Sequence, residues 1–148
     1  MADEARILIV DDDPVVADTL SDFCTHEGYS TAVAADGVEA LNILDADTSL
    51  QMTDSTSVRA EAGGHADGHI GLVNTDEVMP GCNGMDLLRK VRRKHPSLAV
   101  IMITSYGRIE SAVEAVRLGA VDYLTKPLVD DELRIAVNKA LHQLALLS

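Results

Sequence analysis

Two stretches of this chain, Ile7-Leu-Ile-Val10 and Leu98-Ala-Val-Ile-Met-Ile103, are apolar at every position. A strand with one wet face alternates apolar and polar side chains, so a run without alternation marks a strand covered on both faces. Sheets of that kind are parallel, and their crossovers are helices packed above and below. The chain is thereby confined to α/β architectures, and the rest of the pattern complies. Weaker strands are expected over Tyr29-Ser-Thr-Ala-Val-Ala34, Leu72-Val-Asn-Thr75 and Tyr123-Leu-Thr125. Asp13-Pro14 makes an N-cap and first-turn pair for a helix carrying Val16, Leu20, Phe23 and Cys24 inward. Further helices are predicted over 37–44 (Ala40, Leu41 and Leu44 inward) and 83–95 (Leu87, Leu88 and Val91). The spacing predicts another over 108–118, burying Ile109, Ala112, Val113 and Val116. A last helix from Asp130 turns Leu133, Val137, Leu141 and Leu144 inward.

Five strands alternating with five helices give a doubly wound (βα)5 sheet, flavodoxin-like, in the order 2-1-3-4-5. In that order strands one, three, four and five are successive neighbours, and ligands bind at their carboxyl ends. The first strand ends on Asp11 and Asp12, the third on Asp76, the fourth on Thr104 and the fifth on Lys126. Three carboxylates, a hydroxyl and an ammonium therefore converge on one edge.

Composition sets outer limits. At 148 residues and 47% hydrophobic, the chain suits a single domain over 1–148. Residues 45–69 are rich in Ser, Thr, Asp, Gly and Ala and read as a mobile insertion between the second helix and third strand. Such a length far exceeds the connections of about 4–6 residues usual in compact domains. No apolar run approaches the roughly 20 residues of a membrane span. The net charge of −12 argues against direct nucleic-acid binding, which draws on clustered Lys and Arg. The basic group Arg89-Lys90…Arg92-Arg93-Lys94 falls in the last turns of a predicted helix, where it complements the macrodipole. Cys24 and Cys82 fit no metal-ligand spacing and read as reduced thiols, which makes the cytoplasm the simplest location.

The converging groups specify a chemistry. Carboxylates crowded together resist ionising without a counter-charge. An all-oxygen site with few protein ligands suits Mg²⁺, which keeps several waters and bridges to phosphate. Lys126 and Thr104 then offer donors to the oxygens of a phosphoryl group. With that charge neutralised, a carboxylate can attack phosphorus in line and become an acyl phosphate. Asp76, on the middle strand, is the expected nucleophile; Asp11 and Asp12 hold the metal.

Ile-Val-Asp11-Asp12-Asp, Thr75-Asp76-x-x-Met-Pro80-Gly, Ile-Thr104-Ser-Tyr-Gly and Asp-Tyr123-Leu-Thr-Lys126-Pro127 resemble, in this order, the response regulator receiver domain of two-component signalling. Ile109-Glu-Ser-Ala-Val-Glu-Ala-Val-Arg-Leu-Gly119-Ala is most similar to receivers of nitrogen-regulation-type activators. The resemblance implies a phosphoacceptor rather than an enzyme, with Asp76 taking its phosphoryl group from a histidine kinase or phosphotransfer protein. It implies Mg²⁺, or Mn²⁺ in its place, on Asp11, Asp12, Asp76 and the Val78 carbonyl. It further implies a cis Lys126–Pro127 bond, and a switch in which Thr104 closes on the phosphoryl oxygen and Tyr123 turns inward. That switch repacks the face of the fourth helix, fifth strand and fifth helix, toward an effector such as an ATPase transcriptional activator or a phosphorylation-dependent homodimer.

Three positions depart from the family's habit: Gly71, Asn74 in a usually apolar strand position, and Glu77 after the nucleophile. Glu77 is expected either to weaken phosphoryl transfer or to supply another metal contact. Two rival readings stand beside the receiver. One is a phosphorylation-independent pseudo-receiver. The other is a phosphatase of the haloacid-dehalogenase type, whose first motif Asp11-x-Asp13-x-Val15 resembles and whose nucleophile would be Asp11. The latter leaves the Asp76 motif unexplained.

Overall fold

The structure, a computed structural model, describes residues 6–52, 69–79 and 81–147. Strands β1 (Arg6–Val10), β2 (Ser30–Ala34), β3 (Ile70–Asp76), β4 (Ala99–Thr104) and β5 (Asp122–Thr125) form one parallel sheet in the order β2-β1-β3-β4-β5. Between and after them run helices α1 (Pro14–His26), α2 (Gly37–Met52), α3 (Gly84–Lys94), α4 (Ile109–Arg117) and α5 (Asp130–Leu147). The doubly wound architecture expected from the two apolar runs is the one observed.

Strand parity divides the core in two. Ile7, Ile9, Leu72, Ile101 and Ile103 meet Ala17, Leu20 and Cys24 of α1 and Leu133, Ala136 and Val137 of α5 on one face. Leu8, Val10, Val73, Val100 and Met102 meet α2, α3 and α4 on the other. Every residue of β3 and β4 is buried, as double coverage requires. Asp13 caps α1, its carboxylate accepting the Val15 N–H at 2.9 Å with Pro14 in the first turn.

Two elements differ from the expectation. The helix expected to stop at Leu44 continues to Met52. Its polar extension is held from outside: Asp45 pairs with Lys94 and His95 at 3.3 Å, and Asp47 accepts the Ile70 N–H at 3.2 Å. The remainder of the expected mobile insertion, residues 53–68, lies outside the described residues. The second difference is the face of α4. Ile109, Val113 and Val116 were expected inside, yet they are 82%, 51% and 59% exposed, and Ala115 is the buried residue. Ala115 takes the core-facing position of α4, and the branched side chains face outward. Leu144, expected to face inward, belongs to a stretch whose side chains are not described.

Asn74 is a polar residue in an apolar layer. It sits in register between Ile9 and Ile101, is 1% exposed, and among the described residues neither its amide oxygen nor its nitrogen has a hydrogen-bond partner. Burying an amide unpaired is costly, whereas an apolar side chain of the same size loses nothing there. Asn74→Leu is expected to raise unfolding stability by about 1–2 kcal/mol, read as an increased urea midpoint with an unchanged slope. A lowered midpoint would show that the amide is satisfied after all.

Candidate functional site

Parallel strands in register bring their last residues to one edge. Val10 pairs with Thr75, Asp76 with Ile103, and Thr104 with Thr125. The side chains that follow or end these strands are the ones singled out from the sequence; Asp11, Asp12, Asp76 and Lys126 meet there, and Thr104 ends the neighbouring strand β4.

Asp11 is buried and fully engaged. Its Oδ1 accepts the Asp13 N–H at 2.9 Å, and its Oδ2 accepts from Lys126 Nζ at 3.1 Å. Asp76 is 9% exposed, with Oδ1 3.8 Å from the same ammonium. Asp12 is exposed beside them. Asp11, Asp12 and Asp76 each present an oxygen such that all three lie within 4.8 Å of one another. This donor set, three carboxylate oxygens with one open side, fits a hard divalent cation that keeps part of its water. Thr104 is fully buried, and its hydroxyl accepts the Tyr106 N–H at 3.1 Å. The Lys126 N–H donates to the Thr104 carbonyl at 2.8 Å, so β4 and β5 carry hydroxyl and ammonium in fixed relation. The Lys126–Pro127 bond is cis. Val78 lies exposed in the turn after β3.

The turn that carries Asp76 forward depends on close approach. Gly84 opens α3 directly against it, donating its N–H to the Glu77 carbonyl at 2.8 Å. A Cβ at position 84 would collide with the Asp76 carbonyl oxygen, so only glycine fits. Asn83 caps the helix by accepting the Asp86 N–H at 2.9 Å.

Glu77 is the residue whose partner the sequence did not reveal. It is not part of the acid cluster; its Oε1 accepts from the Tyr123 hydroxyl at 2.8 Å. Alternation along β3 carried the signal. Asp76 shares parity with Leu72 and Asn74, so the next side chain leaves on the opposite face, toward Tyr123. Burial, then the Glu77 carboxylate, pushes the Tyr123 phenol above its ordinary value.

Burial raises the Asp76 carboxyl above the ordinary carboxylate range; Lys126 lowers it, Asp11 raises it, the Glu77 N–H lowers it and Asp12 raises it. A carboxyl raised on folding binds its proton more tightly in the native chain, so its ionisation opposes folding at neutral pH. That opposition fades as pH falls through the raised native value and is gone below the unfolded one. In chelator-treated protein, Asp76→Asn is expected to be more stable than the parent at pH 7. The gain should shrink steadily toward acid in urea titrations at stepped pH. A gain that grows toward acid would reverse the sign argued here.

A family model for the response regulator receiver domain matches residues 7–138. The chain is similar to the transcriptional regulatory protein GlrR of Escherichia coli K12, 33% identical over 141 residues that make up 95% of this chain. It spans only 27% of that protein's length. Sporulation initiation phosphotransferase F of Bacillus subtilis is 32% identical over 136 residues, covering 92% of this chain and 93% of that one. Among solved structures, the receiver domain of NtrX from Brucella abortus matches with a TM-score of 0.70 at 31% identity, over 92% of this chain and 98% of that one. The edge where the acidic strand ends meet lies inside the matched span, and the chain belongs to the response regulator receiver domain family of two-component signalling.

Proposed function

We propose that Asp76 accepts a phosphoryl group from a histidine kinase or a phosphotransfer protein, and that the whole of 1–148 works as one receiver. The observation that carries this is the division of labour between the two buried carboxylates. Both oxygens of Asp11 already have donors at 2.9 and 3.1 Å, whereas Asp76 stands 3.8 Å from Lys126, poised rather than tied. That contrast also disfavours Asp11 as the nucleophile of a phosphatase.

Asp11, Asp12 and Asp76, with the Val78 carbonyl, would hold Mg²⁺, or Mn²⁺ in its place. When bound, it offsets the carboxylate repulsion and the charge on the phosphoryl oxygens. Asp76 attacks phosphorus in line, the bond from phosphorus to the donor imidazole breaks, and the product is an aspartyl acyl phosphate. Lys126 follows the charge from the Asp76 carboxylate to a phosphoryl oxygen. Thr104 donates its hydroxyl to another, drawing the end of β4 inward. Tyr123, one strand across, responds, and the face of α4, β5 and α5 changes its partners. A coupling of about 1–3 kcal/mol suffices for such a switch. The exposed stripe Ile109, Val113 and Val116 suits this face to an effector or a second copy, the latter on phosphorylation. GlrR is a transcriptional regulatory protein of which this chain matches 27%, and NtrX of Brucella abortus, of which it covers 27%, has been solved in complex with ADP, which together support an effector of the ATPase transcriptional activator kind. Among the described residues no helix is long and apolar enough to cross a membrane, and both cysteines are free thiols. We place its action in the cytoplasm, with no direct contact to nucleic acid.

Incubation with Mg²⁺ and acetyl phosphate is expected to give one hydroxylamine-labile phosphoryl adduct per chain by intact mass. Asp76→Asn should give none, and Lys126→Met should slow labelling by about two orders of magnitude. An unlabelled parent, an adduct surviving Asp76→Asn, or sustained release of phosphate would overturn the assignment.

A further inference from the structure

Glu77 is anchored on three sides. Its N–H donates to the Ile103 carbonyl at 3.1 Å, its carbonyl accepts from Gly84 at 2.8 Å, and its carboxylate accepts from the Tyr123 hydroxyl at 2.8 Å. The first two contacts fix the main chain to β4 and to the start of α3, so the side chain is a short arm on a rigid base. Its far end holds a ring that belongs to β5. The ring packs against the core cluster that holds Ala115 of α4. A Cβ at Gly107 would meet the Thr125 side chain and, at 3.9 Å, the Tyr123 ring. One hydroxyl thus joins the residue after Asp76 to the element whose apolar stripe faces solvent.

We propose that Glu77 is a positioning residue for the switch, holding the Tyr123 ring toward the phosphoacceptor turn before any phosphoryl group arrives. A phenol donating to a carboxylate makes a charge-assisted bond, stronger than a neutral one. A contact present in the resting chain biases a two-state ring toward the state that keeps it. Because Glu77 adjoins Asp76 covalently and Tyr123 touches α4, movement of the turn reaches the exposed face by a route parallel to Thr104. This inference rests on Asp76 being the phosphoacceptor, and it makes the resting chain partly switched.

The test uses the 148-residue chain with tyrosines labelled at the ring carbon bearing oxygen, observed by NMR alongside backbone amides. Tyr123 is separated from Tyr29 and Tyr106 by the loss of its signal in Tyr123→Phe. In the resting state Glu77→Leu is expected to move the Tyr123 signal and the amides of β5 and early α4, leaving Tyr29 in place. Glu77→Gln, which keeps an acceptor oxygen, should restore most of the parent spectrum. Tyr123→Phe, a milder change, should reproduce the amide shifts of Glu77→Leu. With Mg²⁺ and beryllium fluoride as the phosphoryl mimic, the displacement of the α4 and β5 amides should be at least about twofold larger in Glu77→Leu than in the parent. An unmoved Tyr123 signal in Glu77→Leu, a Glu77→Gln spectrum matching Glu77→Leu, or equal displacements would overturn the proposal. Acetyl phosphate labelling of each variant keeps the two readings apart: labelling absent throughout counts against Asp76 as acceptor, whereas labelling without these spectral changes counts against Glu77.

Discussion

A single ammonium reaches across the carboxyl edge of the sheet and offsets part of the charge of an acidic pocket. Lys126 lies 3.1 Å from Asp11 and 3.8 Å from Asp76, so a side chain from beyond β5 bridges the ends of β1 and β3. Three carboxylates gathered within 4.8 Å outnumber it, and the pocket retains an excess of negative charge. Lys126 offsets only part of that repulsion. It is tolerated because β3 is buried along its whole length and β1 at all but its first residue, and their packing resists the small splaying that would relieve it. The same excess makes the pocket receptive to a divalent cation and to the phosphoryl chemistry that a lone carboxylate at the surface could not support.

How much of this is legible in the residues alone depends on whether a local pattern has one physical solution. Ile7-Leu-Ile-Val10 has one, a strand covered on both sides, and the alternation with helices makes the sheet parallel; the observed order β2-β1-β3-β4-β5 then sets the carboxyl ends of β1, β3, β4 and β5 side by side. The helix over 109–117 has two. Ile109, Val113 and Val116 make a helical stripe whether the core or a partner covers it, and periodicity cannot tell which. In the structure Ala115 takes the buried position and the stripe faces out. The end of α2 was hidden for another reason. Asp45 and Asp47 are poor helix formers by themselves, and their stabilising partners lie some 23 to 50 positions away in Ile70, Lys94 and His95. Tertiary pairing of that reach leaves no local trace.

Glu77 falls between these cases. Its charge beside Asp76 suggested a place in the pocket, yet the alternation of β3 sends it to the other face, where the Tyr123 hydroxyl receives it. Asn74, two residues before Asp76 on the same parity, shows the opposite outcome: a polar group delivered into an apolar layer with no hydrogen-bond partner among the described residues.

The outward stripe of α4 has a consequence for which positions tolerate change. Ile109, Val113 and Val116 contribute little to the core, so substitutions there would leave the packing of the scaffold intact. The acidic edge has less latitude, since Asp11 is held by the Asp13 N–H and by Lys126 while Asp76 must stay within reach of both. Tyr123 stands between the two, bonded to the residue after Asp76 and packed in the same core cluster as Ala115 of α4, so a replacement there would disturb both.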